Sequence, residues 1–371
     1  MDSATTRFDR RRALGLGVLG LSALLAASCS SGRGDPRYPA SYPAEYQDLV
    51  AGAERGGQLV IWSTTDRDQV TELLAAFSAK YPSIKVDYRE MSASEIHQRF
   101  LEETARNVLP ADLLWSSAMD LQIKLVNDGY TQRFVSPERR QIAPWANWKN
   151  QAWGVTAEPI VFVYNTAQIA KSAAPNSHAA LRSALIEQPA LRGKVVTYDP
   201  STSAIGYLLA THDELADHHL MQTAGALGAA QVRLLANSQE ILSEVAEGRA
   251  AVGYNVIGSY AAEYAKQHPD LAVVVPKDYA LVVSRIAIIP AAAPHPDASK
   301  IFLTFLLSRE GQLLLAKHSM PSLRRDVPTP PALVLDRTIR KEIHVGPALL
   351  VTQDKLTKES FLQQWNAKLR P

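Results

Sequence analysis

Short apolar runs alternate with amphipathic stretches along most of the chain. Leu59–Trp62 is an apolar run of strand length, rich in β-branched and aromatic residues. From Asp66 onwards the apolar residues fall instead every three to four positions, on one helix face: Val70, Leu73, Leu74 and Phe77. Ile84–Tyr88 again has the character of a strand. This pattern predicts a strand, a hydroxyl-rich loop, a helix and a second strand, as in an α/β sheet.

The same sequence pattern recurs further along the chain. Small hydroxyl residues follow an apolar run at Ser116-Ser117, at Ser201-Thr202-Ser203 and at Gly258-Ser259-Tyr260, and each time a helical pattern comes next. The carboxyl ends of parallel strands meet along one edge of a sheet, which is where ligands bind in open α/β folds. We therefore expect a ligand site at these loops. The alternative is that the hydroxyls only cap the helices.

A set of polar side chains in or near these loops is predicted to contact the ligand. Its members are Ser63, Thr64, Thr65, Ser116, Ser117, Glu158, Ser201, Thr202, Ser203, Asn255, Ser259 and Tyr260. Glu158 interrupts an otherwise apolar strand, so it either faces solvent or points into a cleft. The helix after Ser203 has no acid in its first turn, which leaves its positive end free for an anion.

Charge and composition exclude some classes of partner. The chain has 371 residues, enough for two domains or lobes, and a formal charge of +2. Without the four arginines and two aspartates of residues 1–28, the numbers of basic and acidic residues are equal. A nucleic-acid partner is not expected, because the globular part has no basic excess to neutralise phosphates.

The N-terminal segment has the features of an export signal. Arg10-Arg11-Arg12 precedes an apolar stretch of 15 residues, Ala13–Ala27, which is too short to span a membrane comfortably. The arginines resemble a twin-arginine signal. Leu25–Cys29 resembles a lipobox, although Ala26 stands where leucine is usual. We predict a signal peptide over 1–28, lipidation of Cys29 and an exported protein in the periplasm or cell envelope. The alternative is a plain cleaved signal.

Two further segments have a distinctive composition. Residues 29–53 are rich in Pro, Tyr, Ser and Gly and are predicted to form an extended linker. His212–His219 contains three histidines among acidic residues. His212 and His219 could share a helix face, but the spacing places no third metal ligand beside them, so no metal site is predicted. No cofactor is expected. The chain also lacks the nucleophile-elbow, zincin and phosphate-loop motifs, and an enzyme is not expected.

Several motifs occur in an order that resembles the extracellular solute-binding proteins of ABC importers, in the branch that binds ferric iron and hexose phosphates. The motifs are Leu59–Asp66, Phe77-x-x-x-Tyr81-Pro82, Ala111–Ser117, Tyr164-Asn165, Gly248–Tyr254, His295–Ala298 and Phe302–Gln312. The resemblance covers about residues 55 to 330.

This resemblance implies an α/β, two-lobed periplasmic-binding-protein fold. Two crossing strands, near 155–165 and 275–290, would form the hinge, and a helical tail would end the chain. Lobe one would comprise 54–157 plus 285–371, and lobe two 158–284. The implied function is to capture a solute by hinge closure and deliver it to an inner-membrane permease. We expect a monomer.

The resemblance leaves the ligand open. Ferric-binding relatives carry two adjacent tyrosines where this chain has Gly258-Ser259, with Tyr260 one position later. This departure favours an anionic solute, such as an organophosphate, a phosphonate or a carboxylate, over direct iron chelation. Binding of ferric iron or an iron chelate is one alternative. The other is a periplasmic sensor that serves a two-component system.

Overall fold

The computed structural model describes residues 35–108, 111–336 and 338–370. The chain divides into two compact units, one up to Ser41 and the other from Tyr42 onwards. In the first unit, the Asp35 carboxylate accepts hydrogen bonds from the backbone N–H and the guanidinium of Arg37. The second unit contains every helix and strand given below. The predictions on Arg10–Arg12 and Cys29 lie outside the described residues.

The strands are listed here in chain order: β1 (Gln58–Ser63), β2 (Lys85–Glu90), β3 (Leu113–Ser116), β4 (Asn147–Trp148), β5 (Ala152–Gly154), β6 (Glu158–Asn165), β7 (Val195–Tyr198), β8 (Arg233–Leu235), β9 (Val252–Ile257), β10 (Leu271–Val274), β11 (Tyr279–Val283), β12 (Ile286–Ile288) and β13 (Ile339–Glu342).

The α-helices follow in the same order: α1 (Glu45–Gly56), α2 (Arg67–Lys80), α3 (Ala93–Ala105), α4 (Met119–Asn127), α5 (His178–Glu187), α6 (Ala204–Asp217), α7 (Leu220–Ala229), α8 (Ser238–Ala246), α9 (Gly258–Gln267), α10 (Pro296–Leu307), α11 (Arg309–Lys317) and α12 (Lys355–Leu369). Short 3-10 helices occur at Pro137–Gln141, Pro144–Ala146, Pro189–Leu191, Pro331–Leu333 and Pro347–Gln353.

Two mixed sheets organise the second unit. The first has the strand order β2-β1-β3-β12-β5-β4, and the second has the order β13-β11-β6-β9-β7-β8, with β10 also paired to β6. Strands β1, β2 and β3 run parallel, as do β7, β8 and β9. We call the parts built on the first and second sheets lobe one and lobe two. The two-sheet α/β architecture confirms the predicted fold class.

Two buried segments carry the chain from the first sheet to the second and back, before a third passage leads to β13. The chain leaves the first sheet after β5 and enters the second at β6 through residues 155–157. It returns between β11 and β12 through Ser284 and Arg285. The two segments lie side by side, because the N–H of Val155 donates both to the Arg285 carbonyl at 2.9 Å and to the Ser284 hydroxyl at 3.0 Å.

The first predicted βαβ unit folds as its pattern indicated. The apolar face of α2 is buried against lobe one, with Phe77 packed on the rings of Phe302 and Phe305. Strand β1 lies between β2 and β3, and all of its residues except Gln58 are buried. Burial on both faces explains why its sequence is continuously apolar.

The two ends of the second unit differ from the expectation. The linker predicted over 29–53 is replaced from Glu45 by helix α1, which buries Tyr46, Val50 and Ala53 and packs on α10. The predicted lobe one includes the tail, as part of 285–371. However, β13 pairs with β11 in the second sheet and α12 packs on α7, so much of the tail lies with lobe two. Only nonlocal pairing decides this placement, and local periodicity does not reveal it.

Candidate ligand-binding cleft

A cleft of about 700 Å³ lies between the lobes. It is lined by the residues that follow six strands: Thr64 and Asp66 after β1, Glu90–Glu95 at the end of β2, Ser117 after β3, Thr202–Ile205 after β7, Ala236–Gln239 after β8, and Ile257 and Tyr260 at the end of β9. In each lobe these strands run parallel, so their carboxyl ends face the same side. The cleft therefore occupies the position where open α/β sheets bind ligands.

The wall formed by lobe one is acidic. Asp66 is the N-cap residue of α2, and burial raises the pKa of its carboxyl group. The carboxylate of Glu90 accepts the N–H of Arg67 at 2.9 Å, and Glu95 lies in the first turn of α3. The positive ends of α2 and α3 are thus compensated by acids of their own chain segment.

The wall formed by lobe two carries no charged side chain among the residues that line the cleft. It presents the N-termini of two helices, α6 and α8. Within the described residues, the N–H groups of Ala204, Ile205, Ser238 and Gln239 donate to no protein acceptor. These are the first two N–H groups of each helix, which never have intrahelical partners. Helix α6 has no acid in its first turn, whereas α8 has Glu240.

Tyr260 connects the two walls. It belongs to α9 of lobe two, and its hydroxyl lies 3.1 Å from the Thr64 carbonyl and 3.0 Å from an oxygen of the Asp66 carboxylate in lobe one. Burial raises the pKa of Tyr260 to about 12. The hydroxyl therefore stays protonated at neutral pH and donates a hydrogen bond across the cleft.

Behind the cleft, a buried polar cluster joins the lobes to the crossing segments. The Arg285 guanidinium donates to Glu158, to the Thr65 hydroxyl at 2.8 Å and to the Tyr260 hydroxyl at 3.3 Å. Ser259 donates to the second oxygen of the Glu158 carboxylate. Lobe one, lobe two and the second crossing segment thus meet at one guanidinium.

The structure brings five of the predicted contact residues to the cleft: Thr64, Ser117, Thr202, Ser203 and Tyr260. Ser201 lies in a smaller neighbouring cavity. Ser203 also caps α6, because its hydroxyl accepts the N–H of Gly206 at 3.3 Å. For this residue the capping interpretation is correct and is compatible with exposure to the cleft.

The other six predicted residues do not line the cleft, because their buried side chains are bonded within the protein. The hydroxyls of Ser63 and Ser116 accept N–H groups of their own loops. Thr65, Glu158 and Ser259 belong to the Arg285 cluster. The last of the six, Asn255, donates from its side-chain amide to the buried carboxylate of Asp213.

Sequence analysis missed two loops of the cleft. The loop after β2 contributes Glu90 and Ser92–Glu95, and the loop after β8 contributes Asn237 and Ser238. Both contain capping motifs, since Ser92 accepts the N–H of Glu95 and Asn237 accepts that of Glu240. A serine or asparagine followed three residues later by glutamate is a signal for a helix start. This signal is present at Ser92–Glu95 and at Asn237–Glu240, so it identifies both loops as helix starts.

Among the described residues, a cluster of metal ligands and a membrane-spanning helix are both absent. No three His, Cys, Asp or Glu side chains lie together as metal ligands would, so the residues of His212–His219 form no such group. Across the same residues, no helix combines the length and apolarity needed to cross a membrane.

A protein-family model described as bacterial extracellular solute-binding protein matches residues 72–341. The chain belongs to this family. This solute-binding protein is 35% identical to the substrate-binding protein of an ABC transporter from Agrobacterium tumefaciens, with a TM-score of 0.79 over 86% of this chain and 97% of that one. No curated protein sequence shows significant similarity to it.

More distant solved structures share the fold. Iron-bound HitA from Pseudomonas aeruginosa is 20% identical, with a TM-score of 0.69 over 84% of this chain and 99% of that one. AfuA from Actinobacillus pleuropneumoniae, with fructose 6-phosphate bound, is 19% identical, with a TM-score of 0.70 over 84% and 98%. The family match and the 35% identical structure assign the chain to the solute-binding proteins of ABC transporters, which are not enzymes, and confirm the family resemblance.

Proposed function

We propose that the protein captures a small anionic solute, such as an organophosphate, a phosphonate or a carboxylate, in the cleft between its lobes. The observation that carries this proposal is the N-terminus of α6. Its first turn contains no acid, and the N–H groups of Ala204 and Ile205 have no protein acceptor within the described residues. Free N–H groups and the helix dipole together favour an oxyanion at this position.

The acidic wall of lobe one suits the uncharged end of such a solute. Asp66, Glu90 and Glu95 line this wall, and ionised carboxylates only accept hydrogen bonds. Hydroxyl groups of a sugar or polyol are suitable donors. A solute with an anionic group at one end and hydroxyls at the other would match both walls, the anion lying against lobe two.

Closure around the solute would occur at the crossing segments, residues 155–157 together with Ser284 and Arg285. A solute that contacts both walls stabilises the closed arrangement, because it loses one set of contacts when the lobes separate. We propose that the closed form docks on an inner-membrane permease. A sensor role would use the same closure, and genes for a permease or for a histidine kinase beside this gene would separate the two roles.

A thermal-shift screen of the full-length protein tests the solute class. Ligands that bind only the native state raise the unfolding midpoint as their concentration exceeds Kd. The panel comprises hexose phosphates, glycerophosphates, phosphonates, small carboxylates and Fe(III)-citrate. A shift with one of the first four classes is expected. A shift with Fe(III)-citrate alone would contradict the anion proposal.

Substitution at the start of α6 tests the position of the anion. Ala204 is the first residue of α6, where proline is tolerated, so Ala204→Pro removes one free N–H without breaking the helix. Ala204→Val adds bulk and keeps the N–H. We expect Ala204→Pro to weaken binding of the solute about tenfold and Ala204→Val to weaken it much less. Equal effects of both variants would mean that only bulk matters there.

The hydroxyls before α6 give a second test. Replacing Ser201 and Thr202 together by alanine removes two donors beside the proposed anion and leaves the capping residue Ser203 in place. Binding of the solute should weaken. An unchanged affinity would mean that these hydroxyls do not contact the anion.

Ferric iron is a second candidate because Tyr260 and Asp66, an oxygen pair of the kind Fe(III) prefers, lie 3.0 Å apart in the cleft. The raised pKa of Tyr260 weighs against this candidate, because an iron ligand must lose its proton. Absorption in the visible range from a tyrosinate–iron complex, lost in Tyr260→Phe, would favour iron over the anion.

We further propose that the protein is exported, anchored through a lipidated Cys29 and monomeric. The family description, bacterial extracellular solute-binding protein, supports export. Mass spectrometry of the N-terminal peptide from the membrane fraction would detect the acyl chains. Cys29→Ser should release the protein from the membrane, and continued membrane association of this variant would contradict the anchor.

A further inference from the structure

A second cavity, of about 210 Å³, adjoins the cleft. The two share a wall, because Ser94, Thr202, Ser203 and Ala204 line both. The second cavity extends from this wall between α3 and α4 of lobe one and the start of α6 in lobe two. A solute bound at the start of α6 therefore has access to both spaces.

The C-terminal tail forms the remaining side of this cavity. The 3-10 helix Pro347–Gln353 packs on α4, and α12 packs on α7, so the tail touches both lobes. Two hydrogen bonds fix it beside the cavity. The Gln353 amide donates to the carboxylate of Asp120 in α4, and the Tyr207 hydroxyl of α6 donates to the Thr352 carbonyl.

The tail places Lys358 at the cavity. Among the described residues that line the cleft or the second cavity, this side chain is the only lysine or arginine. Its Nζ lies 4.7 Å from the centre of the Tyr207 ring and forms no ion pair with a described carboxylate. The neighbouring lysine of α12, Lys355, instead points to solvent, with 85% of its side chain exposed, and lies 3.8 Å from Glu359.

The nearest acid at the cavity already has other partners. The Asp120 carboxylate is buried and accepts hydrogen bonds from the Leu121 N–H and the Gln353 amide. Lys358 is therefore a half-buried cation with no described counter-ion within ion-pair distance, although its charge acts on the carboxyl group of Asp120, which lines the same cavity. An anionic group in the cavity would supply a counter-ion, and the charge-assisted hydrogen bond would be of the strong kind.

We propose that the second cavity is the subsite for the anionic group of the solute and that Lys358 is its cation. The proposal rests on the anionic solute class given above and adds the tail to the binding site. The uncharged part of the solute lies in the larger cleft, against lobe one. The phosphate, phosphonate or carboxylate lies at the shared wall, between the start of α6 and Lys358.

Calorimetric titration with two probes, inorganic phosphate and fructose 6-phosphate, tests the subsite in the full-length protein. The variants are Lys358→Gln, Lys358→Arg and, as a matched control on the same helix, Lys355→Gln. Lys358→Gln should weaken binding of the probe at least tenfold and reduce its dependence on salt concentration. Lys355→Gln should stay within twofold of the wild type, and Lys358→Arg should retain most of the affinity.

The outcomes separate this inference from the solute class. If the wild type binds a probe and Lys358→Gln binds it equally well, the subsite is wrong and the anionic class stands. If the wild type binds neither probe, the subsite is wrong as a phosphate site, and the thermal-shift panel alone then decides the anionic class. Weaker binding by Lys358→Gln supports the subsite only if its ligand-free melting temperature equals that of Lys355→Gln, because a disturbed tail would lower both stability and affinity.

Discussion

The guanidinium of Arg285 and the carboxylate of Glu158 form a fully buried ion pair, with 2.9 Å between Nε and Oε1. Glu158 begins β6 in lobe two, and Arg285 lies in the segment that crosses back to lobe one. Burial alone would raise the pKa of Glu158, but the charge and hydrogen bonds of Arg285 outweigh it, and the pKa lies below its ordinary value. Both groups are therefore charged at the junction of the lobes.

Breaking this pair should destabilise the protein strongly. Arg285→Met leaves the Glu158 carboxylate buried without a counter-ion, which typically costs about 3–5 kcal/mol of unfolding free energy. Urea unfolding followed by tryptophan fluorescence measures the loss. Lys124→Ala is the control, because it breaks an exposed pair with Asp128 and should cost less than about 1 kcal/mol. A similar, small cost for both variants would contradict the charged state inferred for Glu158.

Glu158 also marks a limit of inference from sequence. Its position in an apolar strand indicated either a solvent-facing or a cleft-facing side chain, and the structure shows neither. Its partner lies 127 residues later in the chain, so no local pattern connects the two. By contrast, the alternation from Leu59 to Tyr88 predicted β1, α2 and β2 correctly, because each element buries a face that its own residues define.

The candidate site was predictable to a similar degree. Thr64, Ser117 and the start of α6, which the hydroxyl-rich loops after apolar runs singled out, line the cleft, and their contact with a solute stays a prediction. The same pattern cannot distinguish a hydroxyl that faces the cleft from a buried one, such as Ser259, because that depends on the turn of the backbone. Lys358 was missed altogether, since only tertiary packing brings the tail to the cavity.

Tyr260 is expected to favour the closed arrangement of the lobes. Tyr260→Phe removes the single O–H donor that the Thr64 carbonyl and the Asp66 carboxylate share, and such a hydrogen bond is worth about 0.5–1.5 kcal/mol. Solute affinity should fall about tenfold, and the radius of gyration from small-angle scattering without ligand should increase. Tyr264→Phe is the control on the same helix, because its ring stacks on His268 and its hydroxyl bonds to no described residue. Equal scattering of the two variants would count against this role.

The start of α6 is held in place by a glycine. A Cβ added at Gly206 would lie 2.6 Å from the Cβ of Tyr198 and 3.1 Å from that of Ser203, so the first turn of α6 packs directly on β7. Gly206→Ala must displace this turn, and overpacking of this kind costs about 1–3 kcal/mol. We expect weaker solute binding as well as a lower melting temperature, because the free N–H groups move with the turn.

Gly225 provides the matched control for this prediction. It lies within α7, and an added Cβ meets nothing within 4 Å. Gly225→Ala should raise the unfolding free energy by about 0.5–1 kcal/mol, because alanine favours the helix, and should leave solute affinity unchanged. If Gly206→Ala binds the solute with wild-type affinity, the position of the α6 start does not matter to the ligand.

Asp120 should give the protein an unusual dependence on pH. Burial raises the pKa of its carboxyl group to about 6, above the ordinary value of 3.8. The folded protein therefore holds a proton between pH 4 and 6 that the unfolded chain has released. The contribution of Asp120 to stability is complete below pH 4 and is lost as the pH rises through 6. The loss is about 3 kcal/mol, at 1.36 kcal/mol for each pH unit.

Asp120→Asn removes this titration, because the amide oxygen can still accept the bond from Gln353 but carries no charge. Urea unfolding at half-unit steps from pH 4 to 7.5 gives the difference in unfolding free energy between variant and wild type. This difference should grow in favour of the variant up to about pH 6.5 and then level off. Asp128→Asn is the control, because the Lys124 partner lowers the pKa of Asp128 and confines its effect to lower pH. If the difference in unfolding free energy for Asp120→Asn stays constant from pH 4 to 7.5, the Asp120 carboxylate is charged throughout this range. Gln353 of the tail would then donate its hydrogen bond to an ionised acid at all these pH values.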